Sequence, residues 1–194
     1  MEKLNGKKKL NVSVLISGRG TNLKSLINFS KTKNSRINIC LVITNNKNAK
    51  GLNFAIKNNI KYLILNYKNK KKAESKILFN LKKKKINLIC LAGFMKILSK
   101  RIINKYKGRI LNIHPSLLPK YKGLKTHARV IKNKEKYTGA TVHLVSEKLD
   151  SGKIILQKKT KVSKYDNEKT LEKKVLKIEH TLYPQAIKKL LFNL

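Results

Sequence analysis

Three short segments of this 194-residue chain hold residue types at spacings that could do chemistry. The first is Leu111-Asn-Ile-His-Pro-Ser-Leu-Leu-Pro119. Alternation along an extended strand puts Asn112 and His114 on one side, with a proline-bracketed loop after them. An amide beside an imidazole suits acyl-type transfer: the amide donates to a developing oxyanion and the imidazole moves a proton. A histidine at a strand end can equally be structural. The second segment ends in Asp150-Ser-Gly152. Its aspartate is either a turn former or a partner that sits against His114, raises its pKa and organises a water. The third is Ser17-Gly-Arg-Gly-Thr-Asn22. Glycines after a strand let backbone N–H groups approach an anion, and a helix N-terminus adds partial positive charge. A tight turn with Thr21 or Asn22 as N-cap explains the same residues; the functional alternative is a site for one phosphate monoester.

The elements that must position these segments alternate in type. Leu10–Ser17, Ile37–Thr44, Tyr62–Leu65, Ile86–Ala92 and Arg109–His114 are apolar, β-branched runs that predict strands. Between them, Leu23, Leu26 and Ile27 recur at helical spacing, Leu52–Asn59 suits a short helix, and Ile77, Leu78 and Leu81 form one stripe on a lysine-rich helix within Lys68–Lys85. This rhythm predicts an α/β fold with a mostly parallel twisted sheet flanked by helices, Rossmann-like. After His114 the pattern changes to a short helix around His127–Ile131. Two strands, Gly139–Val145 and Lys153–Val162, follow and are expected to be partly antiparallel. A long helix over Asn167–Leu191 is expected to be interrupted near Pro184. One domain over residues 1–194 is expected, with 1–9 as a flexible lead-in.

The charge is extreme, +38 from 47 Lys+Arg against 9 Asp+Glu. The lysines run from end to end beside an excess of Asn and Ile, all three residues of A/T-rich codons. Genome composition therefore accounts for them without a nucleic-acid partner, and none of specific kind is expected; base and phosphate readers favour arginine forks and interleaved aromatics. No apolar run approaches the ~18–20 residues of a membrane span. Residues 1–10 hold lysines but no apolar segment of a secretory signal. Cys40 and Cys90 lie in apolar runs and suit small buried hydrophobes of a reducing, cytoplasmic protein, with no metal site expected.

Four segments in order, Leu15-Ile-Ser-Gly-Arg-Gly-Thr-Asn-Leu23, Leu91-Ala-Gly-Phe-Met-Lys-Ile-Leu-Ser99, Leu111-Asn-Ile-His-Pro-Ser-Leu-Leu-Pro-Lys-Tyr121 and Val142-His-Leu-Val with Leu149-Asp-Ser-Gly152, resemble the glycinamide ribonucleotide formyltransferases. The resemblance covers the chain from about Leu10 to Pro184. It implies formyl transfer from 10-formyltetrahydrofolate, as co-substrate, to the glycyl amine of 5-phosphoribosylglycinamide in purine synthesis, without a metal. It also implies roles for particular residues. Asn112, His114 and Asp150 resemble the catalytic trio. Gly20, Thr21 and Asn22 resemble the phosphate cradle, and Glu179 a carboxylate contacting the ribonucleotide. Met95, Lys96, Ile97 and Leu98 resemble the folate-pocket segment, joined by Asn112, Ser146 and Asp150. The family arginine before the helix at Lys68–Lys85 is matched by Lys70, which cannot form a bidentate fork. Two further departures are Arg19, where the family often has Asn, and Lys125, where it often has His.

The partners implied are small-molecule substrates, with a monomer or weak homodimer expected. Other formyltetrahydrofolate enzymes are the alternatives. A tRNA formyltransferase would carry a further domain and lack the glycine loop, and a formyltetrahydrofolate hydrolase would carry a regulatory domain ahead of the first strand. A basic nucleic-acid-binding protein on the same scaffold is the alternative of another class; the Asn112, His114 and Asp150 set argues against it.

Overall fold

The computed structural model describes residues 9–192. Except for Lys9, the lead-in expected at residues 1–9 lies outside the described residues. The backbone gathers into two compact units, one running to Ile97 and one beginning at Leu98.

The first unit alternates strand and helix: β1 (Leu10–Ile16), α1 (Thr21–Ser30), β2 (Ile37–Thr44), α2 (Leu52–Lys57), β3 (Tyr62–Ile64), α3 (Lys70–Lys83) and β4 (Leu88–Leu91). Its strands lie in the order β3-β2-β1-β4, all parallel. Strand β1 has neighbours on both sides, and its Val12, Val14, Leu15 and Ile16 are fully buried, as parallel strands covered on both faces require. The short edge strand β3 instead leaves Tyr62 and Ile64 exposed. Helix α1 buries Leu23, Leu26 and Ile27, and α3 buries Ile77, Leu78 and Leu81 while its lysines face water. Cys90 is buried as expected, but Cys40 is only half-buried. Strand alternation places it on the face of exposed Asn38, and its Sγ lies 3.1 Å from Asn11 Oδ1.

The second unit contains α4 (Lys100–Lys105), β5 (Ile110–His114), α5 (Thr126–Lys132), β6 (Tyr137–Leu144), β7 (Ile154–Lys161) and α6 (Glu168–Phe192). Here β5-β6-β7 pair antiparallel. The fold class is therefore the expected α/β, with antiparallel strands toward the C-terminal half. Helix α6 is one continuous helix with Pro184 inside it, which corrects the expected interruption. Leu171 and Val175 before the proline, and Leu182, Tyr183, Ala186 and Ile187 around it, stay in phase and are 0–2% exposed. That apolar stripe holds the turn despite the lost backbone donor. Reciprocal bonds at the start of α6, Thr170 N–H to Asn167 Oδ1 and Asn167 N–H to Thr170 Oγ1, both 3.0 Å, close a capping box. Among the described residues no helix is long and apolar enough to cross a membrane.

A buried hydrogen bond ties α6 to the strand carrying Asn112 and His114. Tyr183, fully buried, donates its hydroxyl to the Leu111 carbonyl at 3.0 Å. Tyr183→Phe leaves that carbonyl without its partner and is expected to lower stability by about 1–2 kcal/mol. Urea unfolding checks this, and an unchanged midpoint would show the bond to be dispensable.

Candidate active site

In the second unit, the antiparallel register pairs Asn112 with His143 and His114 with Thr141. Asn112 and His114 share one face, as alternation predicts, and the loop after β6 brings Asp150 against them. Asp150 Oδ2 lies 3.4 Å from His114 Nδ1, and Oδ1 lies 3.6 Å from His143 Nε2. The Asn112 amide points both hydrogens inward, with Nδ2 3.2 Å from His143 Nε2 and 3.5 Å from Asp150 Oδ1. Asp150 holds a left-handed backbone, φ 45°, which aspartate tolerates better than most residues. Gly152 makes that turn possible, since a β-carbon there would fall 1.7 Å from the Leu144 carbonyl oxygen. The carboxylate is a buried charge, its side chain 8% exposed. It is held by polar donors rather than by a lysine: the Gly123 N–H donates to Oδ2 at 2.9 Å.

The hydrogen-bond partners assign the imidazole protons. A carbonyl can only accept, so His114 Nε2, 2.8 Å from the Tyr121 oxygen, carries a hydrogen. By the same logic His143 Nδ1 donates to the Leu144 oxygen at 2.9 Å, leaving Nε2 to accept from Asn112. Burial drives the His114 pKa down, and the charges of His143 and Arg129 push the same way. The Tyr121 carbonyl and Asp150 oppose them, and the balance stays below the ordinary 6.5. Asp150 does favour the imidazolium, but the expected rise in His114 pKa is corrected: desolvation outweighs the carboxylate. For Asp150, burial pushes the pKa up, but the nearby His143 ring, the Gly123 N–H and the His114 ring carry it below its usual value.

In the first unit, Gly20 caps α1 at φ 72° without a side-chain bond, so Thr21 and Asn22 lie inside the helix rather than serving as its N-cap. A β-carbon at Gly20 would sit 2.4 Å from Gly51 Cα. The first turn of α1 holds no acidic residue, and the leading N–H groups of a helix have no partner within it. Ser17 ties this loop to its neighbours: its carbonyl accepts from Asn46 Nδ2 at 3.0 Å and its hydroxyl from Met95 N–H at 2.8 Å. Of the residues expected at a folate, Met95 and Ile97 are 61% and 66% exposed, and Lys96 is exposed. Lys70 is the exposed first residue of α3. In the second unit Leu98 is buried, Ser146 donates to the Lys148 carbonyl, and Glu179 is buried on α6. The buried cluster therefore unites Asn112, His114 and Asp150. It adds His143, which in the sequence is only an unremarked member of Val142-His-Leu-Val. The missing signal was the β5–β6 register, which sets His143 opposite Asn112.

An α/β chain with a glycine loop after its first strand and a buried Asn–His–Asp cluster at the end of β5 has the architecture of a formyl-transferring enzyme. The formyl transferase family matches residues 10–187, and the chain belongs to that family. It is 37% identical over 181 residues to the phosphoribosylglycinamide formyltransferase of Escherichia coli strain K12, covering 92% of this chain and 85% of that one. It is 42% identical over 184 residues to the trifunctional purine biosynthetic protein adenosine-3 of Homo sapiens. That match covers 93% of this chain but only 18% of the trifunctional protein. The crystal structure of phosphoribosylglycinamide formyltransferase from Brucella melitensis matches with a TM-score of 0.89 at 41% identity, covering 94% of this chain and 95% of that one.

The electrostatics of the cluster lead to a test. Asp150→Asn removes the charge that favours the imidazolium, and its amide can donate to Nδ1 of the neutral ring. The His114 pKa is therefore expected to fall further below 6.5. Asparagine suits the same left-handed turn, so stability should hold. NMR titration of the ring protons in both proteins decides it; an unchanged His114 pKa would reduce Asp150 to a turn former.

Proposed function

We propose that this chain transfers the formyl group of 10-formyltetrahydrofolate to the glycyl amine of 5-phosphoribosylglycinamide. The observation that carries the reading is the buried Asn112–His114–Asp150 cluster, in a chain that shares its family and most of its length with enzymes of that name. In this reading the two units act as one formyltransferase domain, in a cytoplasmic monomer or weak homodimer whose partners are these small molecules. Gly20, Thr21 and Asn22 bind the ribonucleotide phosphate through backbone N–H groups, and buried Glu179 contacts the same substrate. The exposed apolar pair Met95 and Ile97, with Lys96, Leu98, Ser146 and Lys70, serves the folate.

The chemistry proposed is direct transfer. The neutral glycyl nitrogen attacks the formyl carbon, a C–N bond forms, and the carbonyl electrons move to oxygen. The Asn112 amide exchanges its long contact with Asp150 for the oxyanion, and the His114 imidazolium adds positive charge beside it. Collapse breaks the bond to the folate N10, which receives the proton lost by the attacking amine. Because His114 Nε2 is held by the Tyr121 carbonyl, its other nitrogen exchanges the proton through a water held by Asp150. Each oxyanion donor of this kind is worth ~10²–10³ in rate.

Incubating the purified protein with formyl donor and glycinamide ribonucleotide, and following free tetrahydrofolate, tests the reading. Formate release without the acceptor would instead point to hydrolysis. His114→Ala is expected to lose ~10²-fold or more in kcat while remaining folded by circular dichroism. Near-normal kcat would sink the assignment. For the loop, Asn22→Ala should raise KM for the ribonucleotide far more than for the folate; equal weakening would make the loop structural.

A further inference from the structure

Three consecutive residues of the proline-bracketed loop are each tied to a different group of the second unit. The Tyr121 carbonyl accepts from His114 Nε2 at 2.8 Å, the Lys122 carbonyl from Arg129 Nη1 at 2.7 Å, and the Gly123 N–H donates to Asp150 Oδ2 at 2.9 Å. Tyr121 makes its contact from a left-handed backbone, φ 57°, where a β-carbon is unfavourable and a bulky residue is rarely found. Something must hold it there. Its hydroxyl donates to Glu135 Oε1 at 2.9 Å and accepts from Asn133 Nδ2 at 2.9 Å, while the Arg129 guanidinium lies 5.2 Å from its ring centroid. Glu135 also receives Lys120 Nζ at 3.0 Å, and its own backbone N–H donates to the Val130 carbonyl. Glu135 thus gathers both loop side chains, Lys120 and Tyr121, onto the segment between α5 and β6. The chain has only nine acidic residues, and this one touches neither His114 nor Asp150 in any contact observed.

We infer that Glu135 is a positioning residue for the proposed formyl transfer: it clamps Tyr121 so that the Tyr121 carbonyl fixes the proton of His114 on Nε2. The inference rests on the function proposed above, but its main readout does not need turnover. With Nε2–H committed to Tyr121, only Nδ1 faces Asp150, so one nitrogen alone is left to exchange a proton there. The imidazolium alone satisfies both acceptors; either neutral tautomer sets a lone pair against an oxygen. The charged and titratable groups around the ring are Asp150, His143, Arg129 and His127. Among the described residues none of them supplies a second acceptor at Nε2, where the Tyr121 carbonyl is the observed partner.

The test compares Glu135→Leu, Glu135→Gln and Tyr121→Phe in the full chain. Glu135→Leu and Tyr121→Phe should lower the His114 pKa in an NMR titration and shift its Nε2 proton signal. They should also cut kcat by roughly 3–30-fold with KM for both substrates nearly unchanged, the pattern of a positioning defect. Glu135→Gln keeps an oxygen for the tyrosine hydroxyl and should lose less than Glu135→Leu on every readout. A wild-type His114 titration in both Glu135→Leu and Tyr121→Phe would overturn the clamp, even if either variant were less stable. Absence of formyl transfer in the unaltered protein would instead overturn the function, while the titration would still decide for or against the clamp.

Discussion

A buried carboxylate that meets no lysine or arginine among the described residues is the constraint from which the second unit is built. Asp150 sits in a chain crowded with lysines, yet its oxygens meet an amide N–H, an asparagine and two imidazoles. A lysine there would neutralise the site and fix its charge permanently. The Gly123 N–H and the Asn112 amide donate to the aspartate without neutralising it, which leaves its field available to whatever charge develops beside it. The requirement reaches outward. The left-handed turn at Asp150 needs Gly152, the β5–β6 register must place His143 opposite Asn112, and Tyr183 must hold β5 through the Leu111 carbonyl.

In a chain with only nine acidic residues, three further carboxylates have identifiable partners. Glu135 anchors the loop beside His114, and Asp166 joins the start of α6 through Lys174, Thr170 and the Ser163 amide. Glu147 pairs with Lys100 at 2.9 Å on the surface, a contact worth little by itself. The lysines are organised differently. On α3 they line the exposed face of a helix whose apolar stripe is intact, which is how a chain of this composition keeps its core while its surface drifts toward one charge. The cost is self-repulsion across the whole surface, which no small number of ion pairs offsets.

Much of this was visible in the sequence because period and punctuation are local. The seven strands, the turn at Gly18–Gly20 and the shared face of Asn112 and His114 all follow from alternation and breaker residues. What escaped depended on tertiary contact. Helix α4 buries only Ile102 and Ile103, too few apolar positions to set a period. Pro184 suggested a break that packing of Tyr183, Ala186 and Ile187 overrides. His143 needed a strand register, and the role of Tyr121 is carried by a backbone carbonyl that no side-chain motif announces. The sign of the His114 shift was also out of reach, because it turns on burial competing with Asp150, and burial is not written in Asp150-Ser-Gly152.

That sign bears on catalysis. A histidine held above neutrality would enter the reaction already charged, and its interaction with the oxyanion would be partly spent on the ground state. Burial instead keeps His114 below its ordinary pKa, while the Tyr121 carbonyl and Asp150 stand ready as acceptors for both ring protons. The imidazolium is therefore disfavoured at rest, yet fully accommodated in its hydrogen bonds once formed. In the proposed transfer an oxyanion formed beside it would add a second negative charge to that of Asp150 and offset the desolvation that held the proton off. The stabilisation grows as the negative charge grows, which is the differential binding a catalyst needs. In the proposed transfer, the same buried surroundings that lower the resting pKa would reserve the strongest electrostatic contact for the moment at which the oxyanion forms.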